Sequence, residues 1–369
     1  MNRRVFISTA ALTSQMAYAL QPEKKIRAAM IGTGHGHANS KAKALGASNQ
    51  YELVGVCRPD EKDPIRGDAF AKAKWLNLAQ VLEDDSIEMV AVEGADPKWN
   101  LDYAWRSIKA GKHVHLDKPP GADYSGLRDL LAEAGRKKLH VQMGYQWRYQ
   151  PAMAAVLDAA RKGWLGEVYR FRASIDKQIH AAERSELARY KGGMMFSEGC
   201  HLIDQATALF GKPERVKGFL HHRSSLHDGL MDNALVVLEF KNAIAEISMA
   251  GFDPNGNEHR YLEVLGDNGV MRAQPFWTVH LHTELQKPAG PYPAGPHNTE
   301  LFPDNGYPYN ADFQKLFGMI RRNEKPDFSP EHDLMTHRVL LEACGMLTAT
   351  QAAQVEPRPM DGSAMQGGL

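Results

Sequence analysis

His113-Val-His-Leu-Asp117-Lys118-Pro-Pro-Gly121 sets a lysine where a short apolar run meets two prolines. The helix-like segment before it, Trp99 to Lys109, stops at Gly111, and prolines cannot continue a strand ladder. The stretch therefore reads as a strand whose carboxyl end carries Asp117 and Lys118. Ligands of open α/β sheets bind at that edge, where a lysine beside a cofactor can hold a hydroxyl or take its proton. Alone, the same stretch also reads as a surface lysine in a Pro-bounded turn. Its neighbours decide.

Upstream, Lys25 to Ile31 reads as a strand, and Gly32-Thr33-Gly34-His35-Gly36-His37 follows at once, before a helix over Ala38 to Leu45. A glycine-rich turn between strand and helix lets the backbone approach a pyrophosphate, whose charge meets free amides and the positive helix end. The pattern is Gly-x-Gly-x-x-His, so a plain tight turn stays open as the other reading. The next strand, Tyr51 to Cys57, ends at Arg58 with Asp60 close behind, where an acid usually receives the adenosine ribose. Arg58 suits a ribose phosphate and favours NADP; Asp60 keeps NAD open. A helix over Trp75 to Leu82, a strand over Ile87 to Val92, a helix over Gly121 to Lys138 and a strand over Leu139 to Gly144 continue the alternation. Strands alternating with helices predict a doubly wound parallel sheet.

Downstream, a helix runs from Pro151 to about Lys162, and Glu167 to Ile175 alternates with the period of a half-buried strand. Strand pairs over 234–240 and 243–249, then 261–265 and 270–273, then 278–285, describe a mostly antiparallel sheet. Gly192 through His201 to Asp204 precedes an apolar helix, Gln205 to Phe210, and His201 ahead of its start reads either as a residue presented to a cleft or, more commonly, as a core or capping histidine. His221, His222, His227 and Asp228 lack a carboxylate-rich ligand set and read as a solvated loop, so no metal is expected. Lys287 to Tyr309 reads as a long Pro- and Gly-rich loop. Helices over 311–322 and 330–354 close the fold.

The chain has 369 residues, enough for two domains, with 44 basic and 44 acidic side chains. That balance calls for neither nucleic acid nor an anionic membrane. Three separated cysteines give no disulfide framework and no zinc spacing. Asn2-Arg-Arg-Val-Phe-Ile7, a mildly apolar run and Ala17-Tyr-Ala19 resemble a twin-arginine export signal. Export to the periplasm or beyond is expected, with a cytoplasmic protein as the alternative.

Ile31 to Gly34, Ala110 to Val114, Asp117-Lys118-Pro119, Gly144 through Arg148 to Pro151, and Gly192-Gly193 through His201 to Asp204 together resemble the glucose-fructose oxidoreductase, inositol dehydrogenase and rhizopine-catabolism (Gfo/Idh/MocA) family. After the export signal read over 1–19, the resemblance implies an α/β protein: a Rossmann domain over 23–147, an α+β domain with a large open, mostly antiparallel sheet over 148–354, and a tail over 355–369. It implies Lys118 and His201 as proton-handling residues, with Asp204 one helical turn on to orient the imidazole or simply to charge a helix end. It implies cofactor contacts from Gly32, Thr33, Gly34, His35, Gly36, His37, Arg58, Asp117 and Lys118 to NAD or NADP. Arg148, Tyr149, His180, Ser197 and Glu198 are candidate substrate contacts. Three positions depart from the family pattern: His37 for its third glycine, Asn100 for a histidine, and Ser197 for an aspartate, a role Glu198 can take over.

The expected function is hydride transfer between a nicotinamide and a secondary alcohol of a sugar, cyclitol or derivative, with the cofactor carried through export. NAD-dependent glycoside hydrolysis through transient C3 oxidation is the first alternative. A binding or sensor protein on the same scaffold is the second. A homo-oligomer built on the open sheet is a family expectation.

Overall fold

The computed structural model describes residues 23–275, 279–301, 309–348 and 350–351. The expected export signal, Thr278, residues 302–308, residues 349 and 352–354 of the last expected helix and the tail lie outside them. That helix, expected over 330–354, ends at Ala343, with Cys344 as its cap.

Six parallel strands form the first sheet: β1 (Ile26–Ile31), β2 (Tyr51–Cys57), β3 (Trp75–Leu76), β4 (Met89–Val92), β5 (His113–Leu116) and β6 (Val141–Met143), in the order β3-β2-β1-β4-β5-β6. The order reverses between β1 and β4, and the crevice beyond their carboxyl ends is the place such sheets offer to ligands. Fully buried β4 and the buried ends of β1 and β5 explain why these segments read as continuous apolar runs. Capping side chains start the helices between them: Asp96 accepts from Lys98 ahead of Pro97–Lys109, and Asp123 from Gly126 ahead of Tyr124–Arg136. The expected helix over Trp75 to Leu82 is split. Its first two residues pair with β2, and Asn77 then caps a short helix, Leu78–Glu83, through a reciprocal box with Gln80.

The second sheet has eight strands in the order β14-β13-β12-β11-β7-β10-β9-β8: β7 (Val168–Ser174), β8 (Arg215–His221), β9 (Asn233–Glu239), β10 (Ile244–Ala250), β11 (Tyr261–Gly266), β12 (Gly269–Ala273), β13 (Val279–Leu285) and β14 (Gly295–Leu301). Only β7 and β10 run parallel; every other neighbouring pair is antiparallel. One expectation fails here. Lys287 to Tyr309 is not a plain loop, because Gly295–Leu301 adds an edge strand whose polar side chains face outward. Edge position is what lets Pro296 lie in a strand.

Two helices from late in the chain return to earlier elements. Asn310–Arg322 packs Phe313, Leu316 and Phe317 into the first sheet's core, where Tyr51 donates to the Phe313 carbonyl at 2.8 Å and Gln142 to that of Asp312 at 2.9 Å. Pro330–Ala343 packs on the Cys200–Phe210 helix, with the Thr207 and Thr336 hydroxyls 2.8 Å apart. Two consecutive sequence blocks therefore share one continuous junction. No helix among the described residues is long and apolar enough to cross a membrane.

Candidate active site between the two sheets

Lys118 stands just past β5, its side chain almost fully buried. Its Nζ donates to the Ser197 carbonyl at 2.8 Å and lies 3.6 Å from Glu198 Oε2. Both partners come from the second part of the chain, on a π-helical turn, Met195–Gly199, that leads into the helix Cys200–Phe210. Widened turns of this kind recur at functional sites because they push carbonyls and side chains out of register. The helix thus begins five residues earlier than the sequence suggested, and His201 sits inside its first turn.

Glu198 also meets Lys177 Nζ at 3.2 Å, and Lys177 pairs with Glu183. Burial opposes charge on Glu198, yet Lys118, Lys177 and Arg260 outweigh it and hold the carboxyl well below its usual range. Burial, reinforced by Lys118, pushes the His201 imidazole well below its ordinary value, so the ring is neutral. It stacks on Trp147 with centroids 4.2 Å apart and meets Tyr145 edge-on. Its Nδ1 has no hydrogen-bond partner among the described residues.

A second cluster lies on the first sheet's side. Asp117 Oδ2 is 2.5 Å from His35 Nδ1, 3.0 Å from His37 Nδ1 and 3.1 Å from Lys41 Nζ, while its Oδ1 accepts from the Lys118 amide at 2.7 Å. Lys41 also reaches Glu93 at 2.8 Å. Two buried carboxyls thus share one ammonium. Burial raises both, but His35 and Lys41 hold Asp117 well below the carboxylate range, whereas burial and the Asp117 charge push Glu93 well above it. Asp117 keeps the negative charge. Lys41 supplies the positive charge that the His35, His37 and Asp117 donors would otherwise ask of a metal ion. His37 is driven to about 3, first by burial and against the pull of Asp117, so it too is neutral.

The glycine loop is built for close backbone approach. Gly32 has φ +89°, and a Cβ there would lie 2.3 Å from the Gly94 nitrogen. Asn100 braces that neighbour, accepting from the Gly94 amide at 2.9 Å and donating to its carbonyl at 2.8 Å. At the loop's mouth the Thr33 and Gly34 amides donate to Asp63 Oδ2 at 2.7 and 3.1 Å, and the Ala95 amide donates to Asp63 Oδ1 at 2.7 Å. A cleft of about 720 Å³ opens on one side, lined by Gly32, Asp60, Asp63, Ala95 and Tyr103. Another of about 400 Å³ opens on the other, lined by Gly34 to His37, Lys118, His180, Ser197 and Glu198. Amides that already hold a carboxylate have the donor set a pyrophosphate needs. The residues present therefore fit a dinucleotide, whose pyrophosphate the Thr33, Gly34 and Ala95 amides would hold.

The structure brings Lys118, Glu198, Ser197, His180, His35 and His37 to one cleft, with His201 behind it. Three expectations need correction. Asp204 does not turn to the His201 imidazole: its oxygens accept from Arg148 Nε at 2.9 Å and Nη2 at 2.6 Å, and His332 Nε2 lies 3.0 Å away. Arg148 is not a cleft residue either. Its guanidinium is buried between Asp204 and Asp333, 4.0 Å from the Phe328 ring, a structural clamp that holds Asp204 at about 2 against burial. Tyr149 lies on the same short 3-10 turn as Arg148, Gln146–Tyr149, beside Gln142 and Asp312, away from the cleft lining. Arg58 donates to the Asp63 carbonyl at 3.2 Å and braces the loop after β2. His222 faces the Leu230 carbonyl at 2.8 Å, and Asp228 pairs with Arg184 rather than with the histidines' ring nitrogens at close range.

Lys41, Glu93, Asp63 and Lys177 were missed in the sequence. Lys41 had a signal, since Ala38, Lys41, Ala42 and Leu45 fall at the i, i+3, i+4, i+7 spacing of a buried stripe. Glu93, directly after a fully buried strand, had another. Asp63 had none, because an acid in a polar loop is unremarked by any periodicity.

Residues 26–145 match the family model described as an oxidoreductase family with an NAD-binding Rossmann fold, and residues 153–272 match the Gfo/Idh/MocA C-terminal domain. An uncharacterized oxidoreductase of Schizosaccharomyces pombe is 28% identical over 207 residues, covering 54% of this chain and 56% of that protein. Human trans-1,2-dihydrobenzene-1,2-diol dehydrogenase is 25% identical over 203 residues, covering 53% and 59%. The match spans about half the length of such curated relatives. Among solved structures, aldose-aldose oxidoreductase from Caulobacter crescentus, complexed with glycerol, superposes with a TM-score of 0.72 at 17% identity, over 87% of this chain and 98% of that one.

Proposed function

Because this chain belongs to the Gfo/Idh/MocA family of oxidoreductases, with an NAD-binding Rossmann fold as its first part, we propose that it moves hydride between a nicotinamide dinucleotide and a secondary alcohol of a sugar, cyclitol or related polyol. The observation that carries this reading is the position of Lys118: at the ligand-binding edge of the parallel sheet, yet tied by its Nζ to Ser197 and Glu198 of the second sheet's side. When bound, the nicotinamide accepts or returns hydride at the carbinol carbon.

The protein's own residues supply the rest. Lys118 has three donors; the Ser197 carbonyl takes one and Glu198 attracts another, which leaves one for a substrate hydroxyl. Its positive charge favours the alkoxide that forms as hydride leaves. His201, neutral and with an unpartnered Nδ1, is the nearby group with a free lone pair or proton to exchange, and its burial returns the proton readily. Glu198, kept ionised between Lys118 and Lys177, fixes the ammonium and stands in for a carboxylate at 197. Lys41 and Glu93 fix Asp117, and Asp117 fixes the Lys118 amide.

NADP is favoured by Arg58, whose release for a ribose phosphate requires the loop after β2 to let go of it. The reading includes export by the twin-arginine route, resting on residues 2–19, and therefore a cofactor that travels with the folded protein. It also includes a homo-oligomer formed through the outer face of the second sheet. There Phe219 and Leu235 face each other across β8 and β9, beside the ion pairs Arg170–Glu246 and Arg172–Glu263.

The test is the nucleotide content of protein purified from the exported fraction, denatured and analysed for nicotinamide and redox state. Near-stoichiometric NAD or NADP is expected. Protein from which no nicotinamide is released, and which takes none up when titrated, would remove the reading.

A further inference from the structure

Asp63 lies where the glycine loop presents its amides, and nothing in its sequence context suggests it. One carboxylate takes three backbone donors: Thr33 and Gly34 from the loop after β1, and Ala95 from the loop after β4. The rest of its segment straps the same place. Thr33 Oγ1 donates to the Pro64 carbonyl at 2.9 Å, the Arg66 amide donates to the Thr33 carbonyl at 3.2 Å, and Arg58 braces the Asp63 carbonyl. The missing Cβ of Gly34 is filled by this strap, since a side chain there would lie 2.2 Å from Asp63 Oδ1 and 2.7 Å from Pro64 Cδ.

Glycine at that position serves to let a bound group come against the backbone. Here the group that has come against it is the protein's own. The carboxylate has the charge and acceptor geometry of a phosphate oxygen pair, and it stands where the two clefts meet, beside Ala95, which lines both. A dinucleotide spanning the clefts would bring two negative phosphates to amides already satisfied by a negative group.

We propose that Asp63 is a built-in anion that competes with the dinucleotide pyrophosphate for the glycine-loop amides, so that cofactor entry and release of the 58–67 strap are one event. This rests on the reading that the clefts take a nicotinamide dinucleotide. Affinity is set by the difference between two anions on one set of donors, and the strap acts oppositely on the two directions of exchange: entry is slow because it waits for Asp63 to leave, and release is assisted because the returning carboxylate displaces a departing cofactor. Arg58 is freed only by the same movement, which couples recognition of the ribose end to the opening.

The experiment titrates wild type, Asp63→Ala and Asp63→Asn with NAD, NADP and inorganic pyrophosphate by calorimetry, follows reduced-nucleotide association by stopped-flow fluorescence, and records each protein's melting temperature without ligand. D63A is expected to bind dinucleotide at least about tenfold more tightly, equal to about 1.4 kcal/mol, to associate faster, and to bind pyrophosphate measurably more tightly than wild type. D63N, which keeps an acceptor but loses the charge, is expected between them and serves if D63A does not fold. Unliganded D63A is expected to melt lower, since three amides lose their partner, with D63N between it and wild type. Lower melting with equal or weaker dinucleotide binding would overturn the proposal and leave Asp63 a purely structural brace. If neither wild type nor variant binds any dinucleotide, the cofactor reading itself falls and takes the proposal with it.

Discussion

At the scale of single residues, the account divides the buried charges of the junction into those that serve chemistry and those that hold the helices together. Lys118→Met keeps the stem of the side chain and removes its donors; turnover is expected to fall at least about a hundredfold while the circular dichroism spectrum is unchanged. Arg148→Met removes the partner of two buried carboxylates, Asp204 and Asp333, and should cost about 3–5 kcal/mol in urea unfolding, with KM of the folded enzyme unchanged. A selective rise in KM at unchanged stability would return Arg148 to the substrate. Lys118 and His201 were legible because each stands at a punctuated place, before two prolines and before an apolar helix. The Arg148 clamp was not: its second acid, Asp333, lies 185 residues from Arg148, and neither periodicity nor motif spacing links them. Asp63 was illegible for a similar reason, being recognisable only once three amides from two loops are seen to meet it.

At the scale of elements, strongly periodic segments were readable and context-dependent ones were not. The fully buried strand β4 announces itself by being apolar on both faces, and β7 and β10 by alternation, whereas β9 reads as a continuous apolar run, Ala234 to Leu238, whose burial alternates only once it is paired. Strand β14 hides among Pro and Gly because an outer edge tolerates them, and the π turn at Met195–Gly199 has no sequence pattern that separates it from a loop. The destination of the Asn310–Arg322 helix was equally hidden, since its amphipathic face says that it packs but not on what. The structure packs it on β1 and β2 through Phe313 and Phe317. Phe317→Ala is therefore expected to cost about 3–5 kcal/mol and to weaken dinucleotide binding, because the sheet it supports carries the glycine loop. Loss of stability confined to the second sheet, seen as protection from hydrogen exchange retained in β1 and β2, would contradict that packing. The outer face of the second sheet makes a separate claim: gel filtration should give a multiple of the monomer mass, and Phe219→Glu with Leu235→Lys should shift it toward monomer.

At the scale of the whole molecule, the buried histidines make the fold acid-sensitive. His37, His115 and His337 are pushed to about 3 and His113 to about 4, chiefly by burial, from an ordinary value of 6.5. The unfolded chain takes up protons below 6.5 that the folded chain refuses, so stability rises with pH through that window and is lost as pH falls below it. Asp312 works with the opposite sign: burial, only partly relieved by Lys41, raises it to about 7, so its contribution is lost as pH rises from its unfolded value toward 7. Melting temperature should drop on acidification from pH 7 to 5, and Asp312→Asn should gain on wild type at pH 8 more than at pH 5; a wild-type melting temperature that rises on acidification would refute the histidine assignment. The central claim, hydride transfer in a cleft governed by Lys118, is tested most directly by mixing the protein with NAD or NADP and a panel of sugars and cyclitols, and following reduced nicotinamide by absorbance beside the Lys118→Met variant. The account predicts reduction with at least one polyol by wild type and a rate at least about a hundredfold lower with the variant. Nucleotide that binds but is reduced by no polyol, or a rate that the substitution leaves unchanged, would contradict it.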